Sequence, residues 1–265
     1  MYETKYHKAG SLDNATSLMG SADDGKYLGG GMTLIPTMKQ RLAAPSDLVD
    51  LGGIADLQGI STDGSTLTIG AGVTHAEVAG SSDVQGAIPA LAALASHIGD
   101  PHVRNCGTLG GSIANNDPAA DYPAAVLALG ATIKTNSREI TAGDFFNGMF
   151  ETSLSDDEII VSVSFPIPEK AGYAKFPNPA SRYAMAGVFA ASTSDGPRVA
   201  VTGAGQDGVY REDAMEAALS ADWSPAAASG VDVSADDLMS DIHGTSDYRA
   251  NLVKVMAGRA VEAAG

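Results

Sequence analysis

The chain has 265 residues, 44% of them hydrophobic, with 32 Asp and Glu against 16 Lys and Arg and a formal net charge of −16. Together with a mean hydropathy of +0.01, this composition belongs to a soluble folded protein. It lacks the run of roughly 20 apolar residues that an integral membrane segment needs, and its acidic surface repels nucleic acid and anionic lipid. The N-terminal "MYETKYHKAG" leads into no apolar signal segment, and the one cysteine, Cys106, excludes an internal disulfide, so a cytoplasmic protein is expected. The acidic excess also suits salty surroundings, where screening relieves self-repulsion.

In chain order, "SLDNATSLMGS" predicts a short helix with Ser11 or Asp13 at its start and Gly20 just past its end. "KYLGGG" reads as a strand running into a glycine loop and "DLVDLGGI" as another short strand. Residues 1–56 are thus expected to form a first α/β unit. "STLTIGAGVTHAEV" alternates as a strand does, and Thr74 then caps a short helix. "IPALAALASHIG" is an apolar helix closed by Gly99 ahead of Asp100 and Pro101. "ATIKTNSREIT" and "EIIVSVSFPIP" read as strands of a mostly antiparallel sheet, which makes residues 57–168 a second, α+β unit.

"PEKAG" at 168–172 reads as a linker into a third unit, 169–265. There "SRYAMAGVFAAST" and "RVAVTGAG" are neighbouring strands turned by "SDGP". "REDAMEAALSA" and "YRANLVKVMAGRAVEAA" are amphipathic helices. The polar stretch between them, "DWSPAAASGVDVSADDLMSDIHGTSD", is expected to be exposed.

Two glycine loops carry the chemistry. In the first, Gly29-Gly30-Gly31-Met32-Thr33-Leu34 lacks the third glycine of a dinucleotide fingerprint of the Rossmann kind, and Pro36 opens no long helix. No Gly-Lys-Ser/Thr follows either, so a P-loop is excluded. Alone, this triplet fits an ordinary strand-to-loop turn. The second loop, "NCGTLGGSIANNDPAADYP" (105–123), sets Gly107, Gly110 and Gly111 among Thr108, Ser112, Asn115 and Asp121. Clustered small residues let backbone N–H groups converge on an anion, with hydroxyls and amides as neutral donors. Two such loops from different units can grip one pyrophosphate from two sides.

Other polar residues point less far. His75, His97 and His102 match no zinc spacing and read as structural, with His75 in "VTHAEV" a candidate to lie near a ligand. Arg104 fixes the second loop or balances a pyrophosphate. Cys106 has no visible activating partner and reads as a small packing residue. Asp121 is placed to cap the helix of "YPAAVLALG", to touch a ligand, or both.

Taken together, "YLGGGMTLIP" and "RNCGTLGGSIANNDPAADYPA" resemble the two FAD-binding signatures of the medium subunits of molybdenum hydroxylases, the family of aerobic carbon monoxide dehydrogenase and xanthine dehydrogenase. The likeness continues through "DFFNGMFETSLSDDEIIVSVSFP", "YAKFPNPASRYAMAGVFAAS" and "YRANLVKVMAGRA", nearly the whole chain. It implies an α+β, vanillyl-alcohol-oxidase-like (PCMH-type) FAD-binding fold: two α+β subdomains around the FAD and a C-terminal domain covering the flavin side. It implies that the first signature, Gly29, Gly30, Gly31, Met32, Thr33, Leu34, Ile35 and Pro36, wraps the pyrophosphate, with Thr33 a hydroxyl donor. Thr108, Leu109, Gly110, Gly111 and Ser112 would supply opposing amides, and Asn115 and Asp121 further polar contacts. Lys175 and Tyr183 match positions near the flavin ring, the lysine as a cation for the reduced flavin and the tyrosine as a packing surface. Bulky residues at Gly110 and Gly111 are then expected to strip FAD while leaving the fold.

The resemblance also implies electron transfer by this chain and substrate oxidation by another. A large molybdenum–pterin subunit would oxidise the substrate and a small [2Fe–2S] subunit would pass electrons to FAD, in a dimer of heterotrimers. An external acceptor such as a quinone would receive them, with membrane association only through the complex. The chain has no thiolate set for a cluster, which needs about four. Two rivals stand beside this reading: a stand-alone flavin oxidoreductase of the same fold acting on a small organic substrate, and a non-enzymatic assembly scaffold.

Overall fold

All 265 residues are described by a computed structural model. The first sheet contains β1 (Lys5–Lys8), β2 (Gly25–Leu28) and β3 (Asp47–Asp50), in the order β1-β3-β2 with all pairs parallel. Helices α1 (Leu12–Gly20) and α2 (Leu34–Lys39) connect it. α1 starts where expected: Ser11 Oγ accepts the Asn14 N–H at 3.1 Å. Gly20 is its last residue rather than the one beyond. α2 is a short helix with Pro36 in its first turn, where a missing N–H costs nothing.

The second sheet is antiparallel throughout, in the order β4-β5-β10-β6-β7. Its strands are β4 (Ile60–Thr62), β5 (Thr66–Gly70), β6 (Thr132–Thr135), β7 (Glu139–Thr141) and, arriving late in the chain, β10 (Ile160–Pro166) at its centre. Between β5 and β6 run α3 (His75–Gly80), α4 (Ser82–Ala87), α5 (Pro89–Ser96), α6 (Pro101–Arg104), α7 (Leu109–Asn115) and α8 (Tyr122–Ala128). Thr74 caps α3 in a reciprocal capping box with Glu77. After β7 come α9 (Ala142–Phe145) and a small hairpin of β8 (Phe146–Gly148) and β9 (Glu151–Thr152).

The third sheet, β11 (Lys170–Pro177), β12 (Ala184–Thr193), β13 (Gly196–Thr202) and β14 (Tyr210–Arg211), is an antiparallel meander. Helices α10 (Asp213–Ala221), α11 (Pro225–Ser229) and α12 (Ser246–Ala264) follow it. "PEKAG" is not a linker: β11 begins at Lys170, and the Glu169 N–H already donates to Ser192 O at 2.9 Å. Gly172 lies so close to α12 that a Cβ there would sit 1.9 Å from Ala260 O. The polar stretch before α12 is only partly exposed, because Ala228 on α11 and Leu238 are buried. Its serines, aspartates and glycines hide two apolar anchors from a composition-based reading.

β12 is buried along most of its length. Phe189 and Ala191 join the core beneath the first two sheets, whereas Val188 and Ala190 join a second core under α12. Successive side chains of a strand point to opposite faces, so one strand serves two cores. No helix is long and apolar enough to cross a membrane.

Candidate functional site

The two glycine loops meet at the floor of a cleft of about 1030 Å³ lined by residues of all three sheet regions. The contact is close: a Cβ on Gly30 would lie 1.9 Å from Cys106 O, and one on Gly29 would lie 3.1 Å from Thr108 Oγ1. Glycine at position 30 is therefore a steric requirement of this approach. Gly31 adds a positive φ of 71°, which turns the chain from β2 into α2.

The loops differ in their donors. None of the backbone N–H groups of residues 29 to 34 has an acceptor within the chain, which leaves a run of amides open to an anion. In the second loop the amides from Leu109 to Ser112 are engaged. Leu109 N–H donates to Val73 O at 3.0 Å and Gly110 N–H to Ala71 O at 2.8 Å. Gly111 N–H reaches Thr108 Oγ1 at 3.1 Å and Ser112 N–H reaches Thr108 O at 3.0 Å. Of the amides expected from Thr108 to Ser112, only the Thr108 N–H is thus left without an acceptor in the chain, while those of Leu109 and Gly110 dock α7 onto the turn after β5. What this loop turns to the cleft is close-approach surface and the side chains of Ser112 and Asn115.

The same geometry separates two neighbouring glycines. Gly110 is packed against Ala71, which a Cβ would meet at 2.5 Å, so bulk there strikes the fold itself. Gly111 touches only Thr108 Oγ1, at 2.9 Å from an added Cβ. The expectation that bulk at both positions strips the ligand and leaves the fold thus fails sterically at Gly110, whereas at Gly111 only the Thr108 hydroxyl has to give way.

Of the residues that the resemblance assigns to FAD, all line the cleft except Ile35, Pro36, Leu109 and Lys175; of the other polar residues singled out, His75 and Cys106 line it and His97, His102 and Arg104 do not. Leu109 is fully buried in the core. Asp121 precedes α8 but caps nothing, for its side chain accepts no helix N–H. Instead this buried carboxylate accepts the Tyr173 hydroxyl and pairs with Lys175, Nζ to Oδ1 at 2.9 Å. Lys175 Nζ also donates to His97 O at 3.0 Å. Burial pushes the Asp121 carboxyl above its ordinary range, and the Lys175 ammonium and Tyr173 hydroxyl hold it back. Lys175 is therefore not a free cation facing the cleft; its charge reaches the cleft wall only through Asp121.

Tyr183 does reach the cleft, 44% exposed. Burial of part of its ring and the Asp117 charge push its phenol up, and the nearby Thr33 side chain offsets some of this. Thr33 itself caps no helix N–H. His75 is buried beneath Gly107, with Nδ1 unpartnered, and burial followed by the Arg104 charge lowers it to about 4. It is neutral at pH 7 and belongs to the cleft lining. Arg104 takes the structural role, donating to Ile98 O at 2.9 Å and Gly99 O at 3.2 Å.

Sequence reasoning gave no role to Phe150, Ser181 or Arg182, which also line the cleft. Phe150 and Arg182 carry positive φ values of 59° and 65°; only backbone geometry reveals that. Glu158, another lining residue, is held by Arg138, Thr135 and Ser137, and these bonds lower it to about 2.

The residues fit a dinucleotide with a pyrophosphate: open amides for the anion, glycines at the points of closest approach, and room and apolar lining for ring systems. Without a Rossmann helix behind the glycines, this is a nucleotide cleft of the PCMH type, formed between α+β units. Residues 2–168 match the family described as FAD binding domain in molybdopterin dehydrogenase, and the chain belongs to that family. It is 36% identical to the nicotine 6-hydroxylase medium subunit of Paenarthrobacter nicotinovorans, over 98% of this chain and 97% of that one. It is 32% identical to the carbon monoxide dehydrogenase medium chain of Hydrogenophaga pseudoflava, over 98% and 96% respectively. The crystal structure of quinoline 2-oxidoreductase from Pseudomonas putida 86 superposes with a TM-score of 0.89 at 29% identity, covering 99% of this chain and 96% of that one.

Proposed function

We propose that this chain is the FAD-carrying subunit of a molybdenum hydroxylase complex of the carbon monoxide dehydrogenase kind. The observation that carries the reading is the run of open amides from Gly29 to Leu34, brought by Gly30 into contact with the second glycine loop. Bound FAD supplies a carrier between single-electron clusters and a two-electron acceptor. The chain's own residues bind and orient it. The first loop donates N–H groups to the pyrophosphate, which an acidic protein tolerates because amide dipoles replace lysines. Ser112 and Asn115 add side-chain donors from α7. Asp121, locked by Lys175 and Tyr173, presents a fixed acceptor edge that does not swing with solvent.

Molybdenum–pterin and [2Fe–2S] centres belong, in this reading, to a large and a small partner subunit, assembled as a dimer of heterotrimers in the cytoplasm. The relatives' names span nicotine, carbon monoxide and quinoline, so substrate choice is assigned to the large partner and not to this chain. Expression with the neighbouring subunits tests the whole. A yellow chain with an FAD spectrum, in a complex containing iron and molybdenum, is expected. A colourless chain that takes up no added FAD overturns the reading, and substrate turnover by the isolated flavoprotein points to the stand-alone oxidoreductase instead.

A further inference from the structure

Phe150 occupies the tip of the β8–β9 hairpin at φ = 59°, a region that bulky residues avoid, and it is 55% exposed while lining the cleft. One buried residue imposes this. Asn116, itself left-handed at φ = 42° just beyond α7, accepts the Phe150 N–H on its carbonyl at 3.0 Å. Its Nδ2 donates to Gly148 O at 2.8 Å and to Glu151 O at 2.9 Å. Three bonds therefore staple both sides of the tip to the end of α7. Core packing does not explain a strained aromatic that remains half exposed; such strain persists where the surroundings over-determine it, and it collects at ligand sites.

The other end of α7 is the second glycine loop, and seven helical residues separate the two by about 10 Å. A ribityl chain spans a comparable distance between a pyrophosphate and a flavin ring. Tyr183, from the third sheet region, lines the same cleft and senses Asp117, the residue after Asn116. Two partly exposed aromatic rings from separate parts of the chain thus flank this end of α7. Adenine need only be bound and can be enclosed, whereas the redox ring must stay within reach of outside electron donors and acceptors. A half-open aromatic wall suits the latter.

We propose that Phe150 is the packing wall of the isoalloxazine ring and that Asn116 is the positioning residue that holds it there. The proposal rests on the FAD reading above. The test uses the FAD-loaded full chain with Phe150→Ala, Phe150→Tyr and Asn116→Ala, measuring FAD content, visible circular dichroism of the flavin bands and iodide quenching of flavin fluorescence. Phe150→Ala is expected to keep its FAD while the quenching constant rises several-fold and the visible dichroism shrinks. Phe150→Tyr should restore both signals, and Asn116→Ala should reproduce the alanine phenotype with the phenylalanine still present. Unchanged dichroism and quenching in Phe150→Ala overturn the proposal, as does weakened FAD binding without a change in the flavin signals, which would place Phe150 at the adenine. Because Phe150 is exposed, its alanine variant decides the matter even where Asn116→Ala fails to fold. A wild-type chain that binds no FAD is a separate outcome, sinking the functional reading beneath.

Discussion

At Gly30 a single hydrogen separates two loops, since any Cβ would penetrate the Cys106 carbonyl. Gly30→Ala must push the first loop away from the second, at about 1–3 kcal/mol of overpacking, and it should abolish FAD uptake. Gly111→Ala asks only that the Thr108 hydroxyl rotate off its cap, a loss of about 1 kcal/mol. It should weaken FAD binding while leaving the melting temperature nearly in place. Titrating FAD into both purified variants and following their thermal unfolding checks the contrast; equal behaviour would mean that the loops do not meet as described. The triple glycine was visible in the sequence, as was its pairing with a loop some eighty residues on. What the residues did not reveal was the division of labour. Glycines in both loops look alike as letters, yet one loop leaves its amides open and the other uses those of Leu109 and Gly110 to dock α7.

Among the elements, the turn between β6 and β7 is tied to the start of β10 by one carboxylate. Glu158 takes hydrogen bonds from Thr135, Ser137, both ends of the Arg138 fork and the Ser155 N–H. Because its folded pKa is lowered to about 2, the stabilisation is fully present above the unfolded value near 4.5 and is lost as pH falls through about 2. Glu158→Gln should therefore cost about 2 kcal/mol at pH 7, with the gap from wild type narrowing below pH 4.5. Denaturant titrations at pH 7 and pH 3 would show it, and a gap independent of pH would contradict the assignment. Most elements were legible from alternation and caps: Thr74 with its capping box, the strand before it and the β12–β13 hairpin all stand where sequence placed them. "PEKAG" misled because Pro and Gly signal turns, while Gly172 is there for contact with α12. The hairpin tip at Phe150 was invisible because nothing in "NGMFET" announces a left-handed phenylalanine.

For the whole molecule, the ion pair of Lys175 with Asp121 ties the third sheet to α5 and α8, through Asp121 and the His97 carbonyl. Both side chains are only 5% exposed. Removing one partner leaves the other buried and uncompensated, at about 3–5 kcal/mol. Lys175→Met should accordingly lower the melting temperature steeply, and adding Asp121→Asn in the same chain should recover part of the loss. A double-mutant cycle read by chemical denaturation measures the coupling; additive losses would show that the pair does not join the parts.

The double role of β12 bears on how such a chain can be divided. With Phe189 and Ala191 serving one core and Val188 and Ala190 the other, the strand is a party wall, and neither room stands once it is taken down. The stretch matched to the FAD-binding family ends at residue 168, before this wall is built. A fragment stopping there would contain both glycine loops and still lack one side of its own interior. What sequence comparison delimits as a module is, in this chain, an incomplete fold whose remaining wall is supplied by the segment that follows.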